Sequence, residues 1–254
     1  MEEAPAPLSA PAEPASRRTM ASILAERIRG DVLSGELKPG RRLNLKDVSK
    51  KYDAGTIPLR EALSRLSANG FITAEDQKGF RVADISAEEV LDIHKQRAEL
   101  ECLALRDSIR LGTVQWEAEL IAAHHTLSRI QAQLEGRPLA SNPEWEVQHT
   151  QFHLKLVSAC GSKWLMQFIR TLIEHSSRYR QVGAQMMAKK PPMRDIGAEH
   201  QAILDAALRR DIDLACALLR AHYRESARIV VGLIQEYRGG PDRKIANRSR
   251  SKAP

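Results

Sequence analysis

From Ser86 to about residue 237 the chain offers one kind of local pattern. Apolar residues recur at helical spacing, and helix-ending residues interrupt them at short intervals. Amphipathic stretches of this kind must bury their apolar stripes against one another. Gly112, the Gly136-Arg-Pro138 run, Gly161, Pro191-Pro192 and Arg210-Asp211 supply the interruptions. They predict six helices near 87–111, 114–135, 143–160, 162–188, 195–209 and 211–237. Ser86 with Glu89 three residues later fits a capping box at the first of them. Six helices with short joints predict an antiparallel bundle.

The segment before Ser86 is patterned differently. Ile23, Ala25, Ile28, Val32 and Leu33 mark a helix starting at Met20, which SGELKPG ends with glycines and a proline. A short helix, Leu45 to Tyr52, leads through Asp53-Ala-Gly-Thr into another over roughly Ile57 to Asn69. Gly70 stands where helices end. Two β-like runs, FITA and FRVADI, flank the turn-like EDQKG. Helix, helix, turn, helix, hairpin is the layout of a winged helix-turn-helix. The fold class expected is therefore mainly α, a winged helix-turn-helix over 19–84 followed by an all-helical bundle over 85–238. Residues 1–18, rich in Ala and Pro, and the basic tail 239–254 are expected to be disordered.

Charge separates the same segments. Residues 17–84 hold fourteen Lys/Arg against nine Asp/Glu, whereas 85–240 hold twenty against nineteen. A basic front on a neutral body points to a polyanion for the front alone, or simply to a solvated basic face. No apolar run reaches the ~18 residues of a membrane span. The amino terminus lacks the apolar core of a secretory signal. Cys102, Cys160 and Cys216 form no paired framework and read as reduced core thiols, so a cytoplasmic protein is expected.

In the front segment, Arg60 sits one turn into the 57–69 helix, close to its positive end. Gly55 and Thr56 precede it with free backbone N–H groups. Such a helix start takes a phosphate and can reach base edges in the major groove. Lys46 opens the preceding helix, and Lys78 tips the hairpin. The stretch LSGELKPGRRLNLKDVSKKYDAGTIPLREALSRLSANGFI closely resembles the DNA-binding domain of the GntR family of bacterial transcription regulators. SGELKPG, PLREAL and the LxxxGFI exit carry the likeness over about 65 residues. Where the family commonly shows Ser-Arg-Thr before the proline, this chain has Gly55-Thr56-Ile57. The resemblance implies DNA contacts from Lys46, Thr56, Arg60 and Lys78, with an operator unlike that of arginine-bearing relatives.

The stretch HTQFH places His149 and His153 one helical turn apart. His200 lies ten residues before the predicted turn at Arg210, and His222 eleven after Asp211. On antiparallel helices both stand roughly 15 Å from that turn, at one level. Four imidazoles from three helices can then converge, a set a divalent transition metal accepts. Isolated hydrogen-bonded or exposed histidines are the alternative, and spacing alone leaves both open.

DIHKQRAELE, FHLKLVSACGSKWL and EHQAILDAALRRDIDLACALLRAHY resemble the FCD ligand-binding domain of the FadR subgroup of GntR regulators. In many such domains an Asp and three histidines bind a metal. His153, His200 and His222 match those histidines, and His149 stands at the Asp position. The resemblance implies a divalent metal of the zinc, nickel or manganese type, zinc foremost, held by His149, His153, His200 and His222. It further implies a small organic-acid effector met by Arg97. The alternative for Arg97 is an i,i+4 pair with Glu101 on a solvated face.

An enzyme is not expected. HTQFH lacks the Glu that serves as base in H-E-x-x-H. Glu146-Val-Gln-His149 is the one E-x-x-H string found, where a di-iron bundle needs two. The expectation is a homodimeric repressor on a pseudo-palindromic operator, with an activator, or a dimer whose bundle binds no metal, as alternatives.

Overall fold

A computed structural model describes residues 18–75, 78–134, 139–186 and 194–239. The expected tails fall almost wholly outside these residues. The chain divides into two compact units, one comprising residues to Arg29 plus Arg42–Arg81, the other Gly30–Arg41 plus Val82 onward.

The front unit holds most of α1 (Met20–Leu33), then β1 (Arg42–Leu43), α2 (Leu45–Tyr52), α3 (Thr56–Ala68), β2 (Ile72–Glu75) and β3 (Gly79–Val82). Asn44 caps α2, its Oδ1 accepting from the Lys46 amide at 2.9 Å. Asp53 ends α2 in the left-handed region, and the Ala54 amide returns to the Ser49 carbonyl at 3.1 Å. Pro58 falls in the first turn of α3, where a missing N–H costs nothing. The helix ends in a Schellman motif. The Phe71 amide donates to the Leu66 carbonyl at 3.0 Å and the Gly70 amide to that of Ser67 at 3.1 Å. Gly70 takes φ 71° there, which a side chain would oppose. Leu59, Leu63, Leu66 and Phe71 are buried.

The sheet order is β1-β3-β2, with Arg42 opposite Arg81 and Leu43 opposite Phe80 in antiparallel register. The hairpin was legible in the sequence; β1 was not, because two residues carry no periodicity. Arg42 donates through Nε and Nη2 to the Lys78 carbonyl, at 3.2 and 2.7 Å, and so fixes the wing beside its turn.

The second unit is built from α4 (Ala87–Leu111), α5 (Val114–Gln133), a 3-10 turn (Leu139–Ser141), α6 (Pro143–Leu156), α7 (Lys163–Met186), α8 (Ile196–Leu208) and α9 (Ile212–Gly239). The six predicted helices are present. α6 stops at Leu156, four residues short of its predicted end, because Val157 leaves the helix as its C-cap. Ser86 caps α4 by accepting from the Glu89 amide at 3.2 Å. The other half of the predicted capping box is replaced: Glu89 accepts from the Tyr179 hydroxyl, and that hydroxyl takes the Ser86 amide at 3.4 Å. Residues 83–86, which lead into α4, are thus held by α7. Arg178 adds a donation from Nη2 to the Ala83 carbonyl at 3.0 Å and another to that of Asp84.

α4 and α9 form the spine of the bundle and pack along their lengths. Leu105, Leu120, Phe152, Leu156, Ile169, Ile203 and Leu219 are wholly buried around it. Gly112 turns the chain from α4 to α5 where a Cβ would stand 2.5 Å from the Ser108 carbonyl oxygen.

Candidate metal centre and nucleic-acid interface

α6, α8 and α9 bring four imidazoles to one point in the bundle. His149 and His153 stand on one face of α6, His200 on α8 and His222 on α9. Each offers a ring nitrogen, and these atoms all lie within 4.8 Å of one another. The rings of His200 and His222 are 4.9 Å apart, at one level on two consecutive helices. All four side chains are buried, His153 completely. His94, His124, His125 and His175 do not join the cluster.

The cluster has the chemistry of a ligand set rather than of a packed core. His149 Nδ1, His153 Nε2 and both nitrogens of His200 are buried without a hydrogen-bond partner. Unpaired buried polar atoms are costly, and a native protein keeps few of them. Nitrogens bound to a transition ion at about 2.1 Å lie roughly 3–4 Å from each other, so modest inward movement brings this set to bonding distance. Burial drives the ring pKa values down, far down for His149 and His200 and to about 3 for His222. The lone pairs an ion needs are therefore available.

Groups behind the cluster fix its rings. His153 Nδ1 meets the Tyr223 hydroxyl at 2.9 Å, leaving Nε2 to face the cluster. Tyr223 also bonds Glu101, whose Oε1 accepts from Arg97 Nε at 2.8 Å. Burial would raise the Glu101 pKa, but Arg97, His153 and Tyr223 outweigh it and bring it down to about 2. His222 Nδ1 donates to Glu199 Oε2 at 2.9 Å, and Arg194 pairs with the same carboxylate. There too burial raises, while Arg194 and His222 lower further, to about 2. Imidazoles backed by carboxylates are the usual support of a metal ligand.

Charge at the cluster follows from these pairs. The four imidazoles are neutral, and the Glu101 and Glu199 carboxylates are each matched by an arginine. A divalent ion would keep its +2. Beside it lies a cavity of about 130 Å³ that reaches Arg97, His149, Arg180, Arg194, His222 and Tyr223. Arg97 does pair with Glu101, but not on a solvated face. It is 1 % exposed, and its other nitrogens donate to Ser176 at 2.9 Å and Tyr223 at 3.0 Å. Arg180 donates to Ser176 at 2.8 Å and pairs with Glu146. Glu146, the acid of the single E-x-x-H string, is thus committed to an arginine.

The front unit presents its basic groups outward. Lys46, Thr56, Arg60 and Lys78 are all exposed. Thr56 opens α3 and Arg60 follows one turn later, as a groove-reading helix requires. Gly55 caps α3 without a side-chain bond, which leaves the first amides of the helix available to a phosphate. Arg65 is not available in this way, because it bonds Glu61 and the Ser22 hydroxyl.

Comparison with known proteins names this pairing of units. Residues 21–82 match the bacterial regulatory proteins of the gntR family, and residues 92–225 match the FCD domain. The chain belongs to the GntR family, in its FCD-bearing branch. It is 34 % identical over 222 residues to the HTH-type transcriptional regulator BphR of Paraburkholderia xenovorans, across 87 % of this chain and 89 % of BphR. It is also 34 % identical over 196 residues to the HTH-type transcriptional repressor GlaR of Escherichia coli, across 77 % and 88 %. The solved structure of Escherichia coli McbR/YncC shares the fold at a TM-score of 0.67 and 21 % identity, covering 87 % of this chain and 99 % of that one. The protein is a DNA-binding transcriptional regulator of the GntR/FCD type and not an enzyme. Among the described residues no helix is long and apolar enough to cross a membrane.

Sequence reasoning missed Arg180, Arg194, Glu199 and Tyr223. Glu199 and Tyr223 directly adjoin His200 and His222, and that adjacency is the signal available in the sequence. Arg180 and Arg194 carry no such signal, because their partners Glu146 and His222 lie 34 and 28 positions away.

Proposed function

We propose that this regulator binds a pseudo-palindromic operator as a homodimer in the cytoplasm and represses from it. A small organic acid, bound with a divalent metal in the helical domain (85–238), releases the winged domains (19–84). His149, His153, His200 and His222 hold the ion, zinc foremost. The metal supplies a Lewis-acidic positive charge for a carboxylate. The observation that carries this reading is four buried imidazoles gathered at one point, with nitrogens of His149, His153 and His200 unsatisfied. Arg97 lines the cavity beside them and keeps Glu101 and Tyr223 in register behind His153.

Lys46, Thr56, Arg60 and Lys78 make the DNA contacts. Lys46 and Lys78 serve phosphates; Arg60 reaches a base edge or phosphate from the first turns of α3. Thr56 offers a hydroxyl or methyl where arginine-bearing relatives grip a guanine. Ile57 beside it is 83 % exposed and suits a thymine methyl.

Coupling is a population shift: the acid favours a dimer arrangement whose two readers no longer match the half-site spacing. α7 is the element suited to carry it. Ser176 takes bonds from the cavity arginines, and Arg178 and Tyr179, two and three residues on, hold the segment leading into α4. The test is affinity for a duplex selected from a random pool, measured with zinc alone and with zinc plus candidate acids. Weakened DNA binding by an acid only when zinc is present is the expected result. DNA affinity indifferent to both would defeat the sensor reading.

A further inference from the structure

Among the described residues, the cavity beside the imidazole cluster is polar at one end only. At that end every arginine already has a carboxylate: Glu101 for Arg97, Glu146 for Arg180, Glu199 for Arg194. The body of the cavity is walled by Leu139, Trp145, Ile196, Ile229, Val230 and Leu233. Ser226 also lines the cavity, and its hydroxyl is committed to the His222 carbonyl at 2.8 Å and to Arg194 at 2.9 Å; Trp145 Nε1 is a neutral donor without a partner, and it brings no charge to the wall. A second carboxylate reaching into the body would lose its hydration and meet no cation among the described residues. Leaving an ionised group in such surroundings is strongly unfavourable. A hydrocarbon group there gains from the same walls.

Size narrows the class further. A cavity of about 130 Å³ is on the order of one that encloses a benzene-sized group. That suits an acid whose body is about the size of one aromatic ring. This step rests on the reading of an organic acid bound with a metal and narrows its class. We propose that the effector is an amphipathic monocarboxylate with an aromatic or medium-chain aliphatic body. Its head meets the ion at His149 and His222, and its body lies against Ile229, Val230 and Leu233. Extended diacids, whose second carboxylate would lie against these residues, are excluded by the wall.

The test uses the full chain loaded with zinc, its occupancy measured first. Calorimetry then compares octanoate and 3-phenylpropanoate with octanedioate and citrate. The monoacids should bind roughly tenfold or more tightly than the diacid of equal chain length, since the unpaired second carboxylate is penalised. Ile229→Lys places an amine at the half-buried far wall and should narrow or reverse that preference while zinc occupancy holds. Tighter binding of octanedioate or citrate to the unaltered protein would overturn the class and leave the organic-acid reading standing. Binding of none of the four to zinc-loaded protein would overturn both, and failure to load zinc would remove the parent reading itself.

Discussion

Replacing Glu101 with leucine tests how the cluster is supported. Glu101 and Arg97 are 0 % and 1 % exposed and meet at 2.8 Å between α4 residues one turn apart. Removing the carboxylate leaves the Arg97 guanidinium charged inside the bundle, its hydrogen bonds reduced to those with the Ser176 and Tyr223 hydroxyls. An arginine does not escape by losing its proton. Breaking a buried pair by removing one partner costs about 3–5 kcal/mol. For a domain of this size each kcal/mol lowers the melting temperature by about 2–4 °C, so Glu101→Leu should fall by roughly 6–20 °C. Arg97→Met with Glu101→Leu removes both charges and fills similar volume, which is often neutral or stabilising. The double variant should recover most of the loss, with a coupling energy of about 2 kcal/mol or more. Scanning calorimetry on the metal-free protein reads all four members of the cycle. A double variant as unstable as the sum of the singles would refute the reasoning, because the pair would then contribute packing and not charge matching. Metal affinity of the double variant should drop about 10–100-fold, since Glu101 no longer holds Tyr223 behind His153.

Three further outcomes are expected. Arg60→Ala should lose about 1–3 kcal/mol of specific operator binding with the melting temperature unchanged, because its side chain is exposed; full affinity in fluorescence anisotropy would show the wrong contact was chosen. Arg178→Ala should keep metal and acid binding but weaken the effect of the acid on DNA affinity, because it frees the Ala83 and Asp84 carbonyls from α7; an unchanged linkage between acid and DNA would remove α7 from the route. Gly112→Ala should destabilise the bundle by more than 1 kcal/mol in urea unfolding, since its Cβ would stand 2.5 Å from a backbone oxygen and closer still to Trp116; an unshifted midpoint would contradict that.

The legible part of this protein was its punctuation. Gly70, Gly112, Gly161 and the Arg210-Asp211 turn sit just past helix ends because those ends need particular backbone conformations, and those needs are written locally in residue type. The level match of His200 and His222 was legible for the same reason: once a turn is placed, helical rise fixes where equally distant residues stand. What stayed hidden is what sequence distance hides. Arg180 reaches Glu146 across thirty-four positions, and Tyr223 reaches Glu101 across more than a hundred. No periodicity reports such a pair. The pair of Arg97 with Glu101 was visible as i,i+4 spacing, yet spacing does not say which face of α4 is buried. The reciprocal half of the Ser86 cap failed likewise, since a distant Tyr179 supplied a better partner for Glu89 than the local amide.

The most direct test is the metal content of the purified full chain, the wild type beside His153→Ala and His222→Ala. The account predicts one divalent transition ion per chain in the wild type and a marked loss in both variants, with helical content retained by circular dichroism. Equal metal content in all three would contradict it.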